Sequence, residues 1–335
     1  MVTLRERVLA AMAVFALGIC TLPTRGSADP AIVYSVGGKF DGSFNESALQ
    51  GVKRFRQETS ADVREFELER DAQSLQALRN FASRGHVPVV AIGFNQASAV
   101  EAAAREFPDA PFAIIDMVVD QPNVASYVFK EQEGAYLAGL LAAMATQTGT
   151  IGFVGGMDIP IVRRFLCGYK LGAAASRKDI NVLSAMAGDT PAAFADPVRG
   201  AELARSQIAQ GADVIIQAAG GTGIGVLQAV ADAGALGIGT DSNQNGLHPG
   251  QILTSIRKRV DQAVYDSFKS SAEGTFKPGI RVLGLAEGGM DWVLDDNNDE
   301  LITEPMKSAA GFATEAIASG KIQVHDVVSD GACPL

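Results

Sequence analysis

The chain has 335 residues, 47% of them hydrophobic and 20% charged, with a formal net charge of −10. That is the make-up of a folded chain of about two domains, not of a disordered one. The acidic excess argues against a nucleic-acid partner, because a phosphate backbone is held by clustered basic side chains.

At the start, Arg5 and Arg7 precede the apolar run VLAAMAVFALGI, and Gly26-Ser27-Ala28 supplies the small residues of a cleavage site before Asp29. The run is too short to span a membrane stably. Residues 1–28 are therefore expected to be a signal peptide. Lipid attachment at Cys20 is disfavoured, because the preceding residue is Ile19 where a small residue is needed. Without Arg5, Glu6, Arg7 and Arg25 the remaining chain carries 25 basic and 37 acidic residues. No later segment reaches 18 uninterrupted apolar residues, so the mature chain is expected to be soluble.

The mature chain opens on an apolar strand (Ile32, Val33, Tyr34, Val36) that runs into a Gly-rich turn. Ser43 or Asn45 is placed to cap the helix that follows, whose inner face carries Ala48, Leu49, Val52 and Phe55. Phe44 stands in that turn, either packing the helix start or offering a flat face to a ligand. A strand over 62–69, a helix over 71–84, a buried-type strand over 87–94, a helix over 95–106 and an apolar strand over 111–117 follow. A strand over 126–130 and a helix over 134–146 complete the first unit. This alternation predicts a parallel sheet covered by helices.

The pattern then restarts. Strands are expected over 150–156, 181–188, 212–221 and 235–245, with helices over 162–176, 195–211 and 223–234 between them. Asp196-Pro197 is a good helix start and Gly234 a good helix stop. After these come a strand over 252–256, a helix over 257–271, a strand–turn–strand over 281–296, and a last helix and strand over 304–324. Two cysteines remain, Cys167 and Cys333. An even pair in an oxidising compartment favours a disulfide. A metal site is not expected, since His86, His248 and His325 are scattered and neither cysteine has a ligand at metal spacing.

Parallel sheets bind ligands at the carboxyl ends of their strands. The polar and aromatic residues there are Ser35, Phe44, Asn45, Phe94, Asn95, Asp116, Gly220, Gly221 and Asp241. Asp116 and Asp241, one in each half, suit a neutral polyol, because carboxylates accept strong hydrogen bonds from vicinal hydroxyls. Each is also a plausible helix cap. GGTGIGV (220–226) does not complete a dinucleotide fingerprint, since Val226 and Gln228 stand where the last glycine is needed. GFVGG (152–156) lacks the Lys-Ser/Thr of a phosphate loop. The chain has no G-x-S-x-G and no H-E-x-x-H, so no enzyme class is indicated.

Several stretches carry a resemblance over nearly the whole mature chain: GSFNES, GFVGGMDIPIVRRFLCGYKLGA, AFADPVRGAE, AAGGTGIGVLQAVADAG, IGTDSNQ and LTSIRKRVDQAVYD. They resemble the basic membrane protein family, substrate-binding proteins of ABC importers that include a purine nucleoside receptor. The resemblance implies an α/β, two-lobed type I periplasmic binding fold, each lobe a parallel sheet flanked by helices, with the ligand in the cleft at the hinge. It puts residues 29–148 with about 252–278 in the N-terminal lobe, and 149–251 with about 279–335 in the C-terminal lobe. It implies a nucleoside ligand, with base and ribose contacts at Asn45, Asp116, Gly220, Asp241 and Lys258 and the base between Phe44 and Phe194. Ser35 stands where the family often has an Asp that touches the base. The alternatives are another flat heteroaromatic ligand, such as riboflavin or a free base, and a sensory rather than a transport role. The expected setting is the free periplasm, as a monomer without a cofactor. Its expected partners are an ABC permease and ATPase, and it would meet the membrane only through the permease.

Overall fold

The computed structural model describes residues 29–335, so the expected signal peptide and Cys20 lie outside the described residues. The first part runs β1 (Ala31–Tyr34), α1 (Phe44–Thr59), β2 (Arg64–Glu67), α2 (Ser74–Ser83), β3 (Val89–Ile92), α3 (Ala97–Glu106), β4 (Phe112–Ile115) and β5 (Val124–Phe129). The second runs α4 (Glu131–Ala145), β6 (Thr150–Met157), α5 (Pro160–Ser176), β7 (Asn181–Gly188), α6 (Pro197–Ala209), β8 (Val214–Ala218), α7 (Thr222–Asp232), β9 (Leu236–Asp241) and β10 (Ile252–Lys258). The chain ends with α8 (Val260–Ala272), β11 (Gly279–Leu283), β12 (Met290–Trp292) and α9 (Glu304–Ala318).

Two six-stranded sheets result, in the orders β2-β1-β3-β4-β5-β11 and β7-β6-β8-β9-β10-β12. The order is the same in both, so the restart of the pattern is a repeat of architecture. Every pairing in the first sheet is parallel, and β12 is the one antiparallel strand of the second. Period-two alternation divides each strand between two cores. Ala31, Val33, Val89, Ala91, Phe112 and Ile114 face α2 and α3, whereas Ile32, Tyr34, Val90, Ile92, Ala113 and Ile115 join the core with α1 and α8.

The chain passes between the lobes three times: at Lys130, at Arg259 and through residues 284–289. These passages correct the expected boundaries. Residues 252–258 lie inside the second sheet between β9 and β12, and 279–283 extend the first. Only the helix after Lys258 returns to the first lobe, where α8 packs on α1. An apolar strand looks alike in either sheet, and pairing decides its address. After α9 the chain forms no strand. Asp196 caps α6 by accepting from the Arg199 N–H at 3.0 Å, and Gly234 closes α7 at φ +69°, both as expected.

Cys167 and Cys333 form the expected disulfide. It ties the C-terminal tail to α5, where Arg164 Nε also donates to Asp326 at 2.9 Å. Helices α4 and α5 cross closely because glycine lines their contact. A Cβ on Gly139 would lie 1.9 Å from the Tyr169 carbonyl oxygen, and one on Gly172 would lie 1.9 Å from that of Tyr136. Gly139→Ala gains helix propensity but must force the two backbones apart. We expect it to lower stability by about 1–3 kcal/mol in urea unfolding, and an unchanged or raised midpoint would refute this account of the crossing.

Candidate functional site: an interlobe cleft around a buried lysine

The carboxyl ends of both sheets face one cleft, as the rule for parallel sheets requires. Ser35, Phe44, Phe94 and Asp116 line it from the first lobe. Phe194, Gly220, Asp241 and Lys258 line it from the second. The space among them is about 720 Å³, counting the part open to solvent.

Asp116 directly follows β4, and Asp241 ends β9. These strands hold the same place in their respective sheets. Both residues have left-handed backbones, at φ +71° and +69°. That conformation is uncommon for a residue other than glycine and persists only where the surroundings enforce it. The architectural repeat thus presents two equivalent carboxylates to one cleft.

Lys258 ends β10 and is only 2% exposed. Its Nζ donates to Asp116 Oδ2 at 2.6 Å and lies 3.6 Å from Glu131 Oε1. It also sits 4.9 Å above the Phe44 ring and 5.4 Å from the Phe129 ring, at cation–π distance. Burial opposes its charge, but the carboxylates of Asp116, Glu131 and Asp241 outweigh it and hold the pKa above the ordinary lysine value.

Sequence reasoning missed Glu131. It is the first residue of α4, where a carboxylate reads as a favourable charge at a helix start, yet it is 1% exposed. Its Oε2 has no hydrogen-bond partner and faces Arg164 Nη1 at 3.7 Å. Burial pushes its pKa up to about 7, against the pull of Lys258. Asp116 Oδ1 is likewise buried without a partner. An unmet acceptor on a cleft-lining carboxylate is a place for a donor from a ligand.

Asp41 was also missed. Its carboxylate accepts the N–H groups of Ser43, Asn45 and Glu46 at 2.9–3.0 Å. It therefore does the capping expected of Ser43 or Asn45, and burial raises its pKa to about 6. Asn45 does not line the cleft. Its amide is spent inside the loop, accepting from the Ser35 N–H and donating to the Ser35 and Gly38 carbonyls. Phe194 meets Phe94 edge-on, with ring centroids 6.3 Å apart. Gly220 has φ +57°, and a Cβ there would come within 3.2 Å of the Phe194 carbonyl oxygen. Among the described residues no group of three or more His, Cys, Asp or Glu is placed to hold a metal ion.

Residues 30–326 match the family described as ABC transporter substrate-binding protein PnrA-like. The chain belongs to this family. It is 33% identical to the ABC transporter nucleoside-binding protein BmpA of Lactococcus lactis, over 88% of each chain. A crystal structure of an ABC transporter solute-binding protein from Aeropyrum pernix matches with TM-score 0.82 and 29% identity, over 89% of this chain and 93% of that one. The fold is that of type I periplasmic binding proteins. The chain is thus an extracytoplasmic solute-binding component of an ABC importer and not an enzyme. Members of such a family work with ABC permease and ATPase subunits.

The relatives overturn the expected setting. An uncharacterized lipoprotein of Pyrococcus horikoshii is 35% identical, over 85% of this chain and 72% of its own, and two further Pyrococcus relatives are also named lipoproteins. Relatives of this kind point to lipid anchoring at a membrane rather than to a free periplasmic protein. The expectation had rested on Ile19 before Cys20 and on the cleavage-like Gly26-Ser27-Ala28, all outside the described residues.

The cluster carries a pH signature. Glu131 and Asp41 have folded-state pKa values of about 7 and about 6, above their ordinary 4.5 and 3.8. Their contribution to stability is full below pH 4 and is lost as pH rises through 6 to 7. Glu131→Gln should therefore lose less stability than the wild type between pH 5 and pH 8. Urea titrations at both pH values check this, and parallel losses would contradict it.

Proposed function

We propose that the solute is a nucleoside, with a purine nucleoside the preferred one, captured as the two lobes close. The observation that carries this reading is the joint presence, in one cleft, of phenylalanine rings from both lobes and two equivalent carboxylates. Phe44 and Phe194 offer ring faces to a flat base. Asp116 and Asp241 are acceptors for vicinal ribose hydroxyls, which form strong charge-assisted bonds with carboxylates. Lys258 opposes the rise that burial gives the pKa of Glu131 and Asp241, and it has donor capacity beyond its bond to Asp116. Gly220 lets backbone approach the ligand, and Ser35, held by Asn45, stands at the mouth of β1 as a hydroxyl that both donates and accepts. The Lactococcus lactis relative named as nucleoside-binding supports the same assignment. In this reading the three passages between lobes are the hinge, and the closed shape is what the permease engages.

The test is thermal unfolding of the protein against purine and pyrimidine nucleosides, free bases, sugars and riboflavin. A ligand that binds only the native state at a hundredfold excess over Kd stabilises it by about 2.7 kcal/mol. We expect adenosine, guanosine or inosine to raise the midpoint. Phe44→Ala or Phe194→Ala should weaken binding by roughly 5- to 150-fold, corresponding to about 1–3 kcal/mol per stacked ring. A shift with riboflavin or a sugar, and none with any nucleoside, would sink the assignment while leaving the fold and family intact.

A further inference from the structure

Ser43 stands at the start of α1, where a serine usually caps its own helix. Here Asp41 takes that task, and the Ser43 hydroxyl is released to point elsewhere. It is fully buried and donates across the cleft to Asp241 Oδ2 at 2.8 Å, with the Thr240 carbonyl oxygen 3.2 Å away. Among the described residues it is the sole hydrogen-bond donor to the Asp241 carboxylate.

The contact is reciprocated from the second lobe. Ser242 Oγ donates to the Ser43 carbonyl at 2.6 Å, and Gln244 Nε2 donates to the Gly42 carbonyl at 2.8 Å. Gln244 is itself fixed, since its Oε1 accepts from the Thr240 N–H and from Gln217 Nε2, each at 2.9 Å. Gln217 in turn accepts from the Ala219 N–H, beside the cleft-lining Gly220. Gly42 lies so close to the second lobe that a Cβ there would meet Ile224 Cδ1 at 2.7 Å. A continuous buried polar chain thus runs from the floor of the cleft in one lobe to the helix start of the other.

We propose that Ser43 is an affinity-setting positioning residue: its hydroxyl orients the Asp241 carboxylate for the solute only when the lobes meet. With the lobes apart, Asp241 has no donor and its side chain is free to turn. With the lobes together, one oxygen is held by Ser43 and the other is left for the solute. Closure and recognition are thereby joined at one hydrogen bond. The inference rests on Asp241 as a solute contact in the proposed function, and not on the solute being a nucleoside.

The experiment uses Ser43→Ala and Ser242→Ala, one from each side of the contact, with Thr59→Ala at the far end of α1 as the control. Adenosine binding is followed by stopped-flow kinetics, and lobe separation by small-angle X-ray scattering. A lost hydrogen bond to a charged group should raise the dissociation rate about tenfold or more, with association within about threefold of the wild type. The radius of gyration with adenosine present should grow in both serine variants and stay unchanged in Thr59→Ala. Urea unfolding of all three should remain a single cooperative transition, which separates a role in closure from a failure to fold. Absence of either the kinetic or the scattering change in the serine variants overturns the proposal. If adenosine does not bind the wild type, the nucleoside reading fails and scattering of the ligand-free protein decides. More extended serine variants then support the contact, and identical profiles overturn it.

Discussion

The structure turns on the burial of one ammonium group at the junction of the two lobes. A lysine removed from water costs several kcal/mol unless carboxylates surround it at close range. Here Asp116 comes from the first sheet, Asp241 from the second and Glu131 from the chain segment that has just crossed between them. Lys258 itself is followed at once by Arg259, where the chain crosses back. The cluster can be complete only with both lobes and two of their three connections in place. Removing one member leaves its partners charged and dry, which is why such a group is held so firmly. The unmet Oδ1 of Asp116 leaves the cleft an acceptor that no donor among the described residues fills, whereas Glu131 Oε2 faces Arg164 at 3.7 Å.

The repetition of one sheet order explains how a pair of matching carboxylates arises. Each lobe ends its fourth strand in a left-handed aspartate, and facing the two sheets turns these aspartates toward a common space. Strain is spent twice on the same device. The rings of Phe44, Phe94 and Phe194 give that polar space apolar walls, and a low-dielectric surround strengthens each hydrogen bond made inside it. A flat ligand with adjacent hydroxyls uses both properties.

Much of this was legible in the residues. Strand–helix alternation gave the parallel sheets, Asp196-Pro197 and Gly234 marked helix ends, and the pair Cys167 and Cys333 gave the disulfide. Seven of the eight candidate ligand residues line one cleft: Ser35, Phe44, Asp116, Gly220 and Asp241 stand at carboxyl ends of parallel strands, which local pattern finds, whereas Phe194 and Lys258 came from the family resemblance. Asn45 escaped for a physical reason: its side chain is consumed by its own loop. Glu131 and Asp41 were hidden because an acid at a helix start looks the same whether it faces water or a buried lysine. The lobe membership of 252–258 and 279–283 depends on which strand each one pairs with, and no local periodicity encodes that.

The account stands most directly on the claim that the buried carboxylates receive ligand hydroxyls. Calorimetric titration with adenosine and with 2′,3′-dideoxyadenosine measures this. Two charge-assisted hydrogen bonds of about 1.5 kcal/mol each make the dideoxy compound bind at least about a hundredfold more weakly. Equal affinity for the two compounds, or no binding of either, would contradict it.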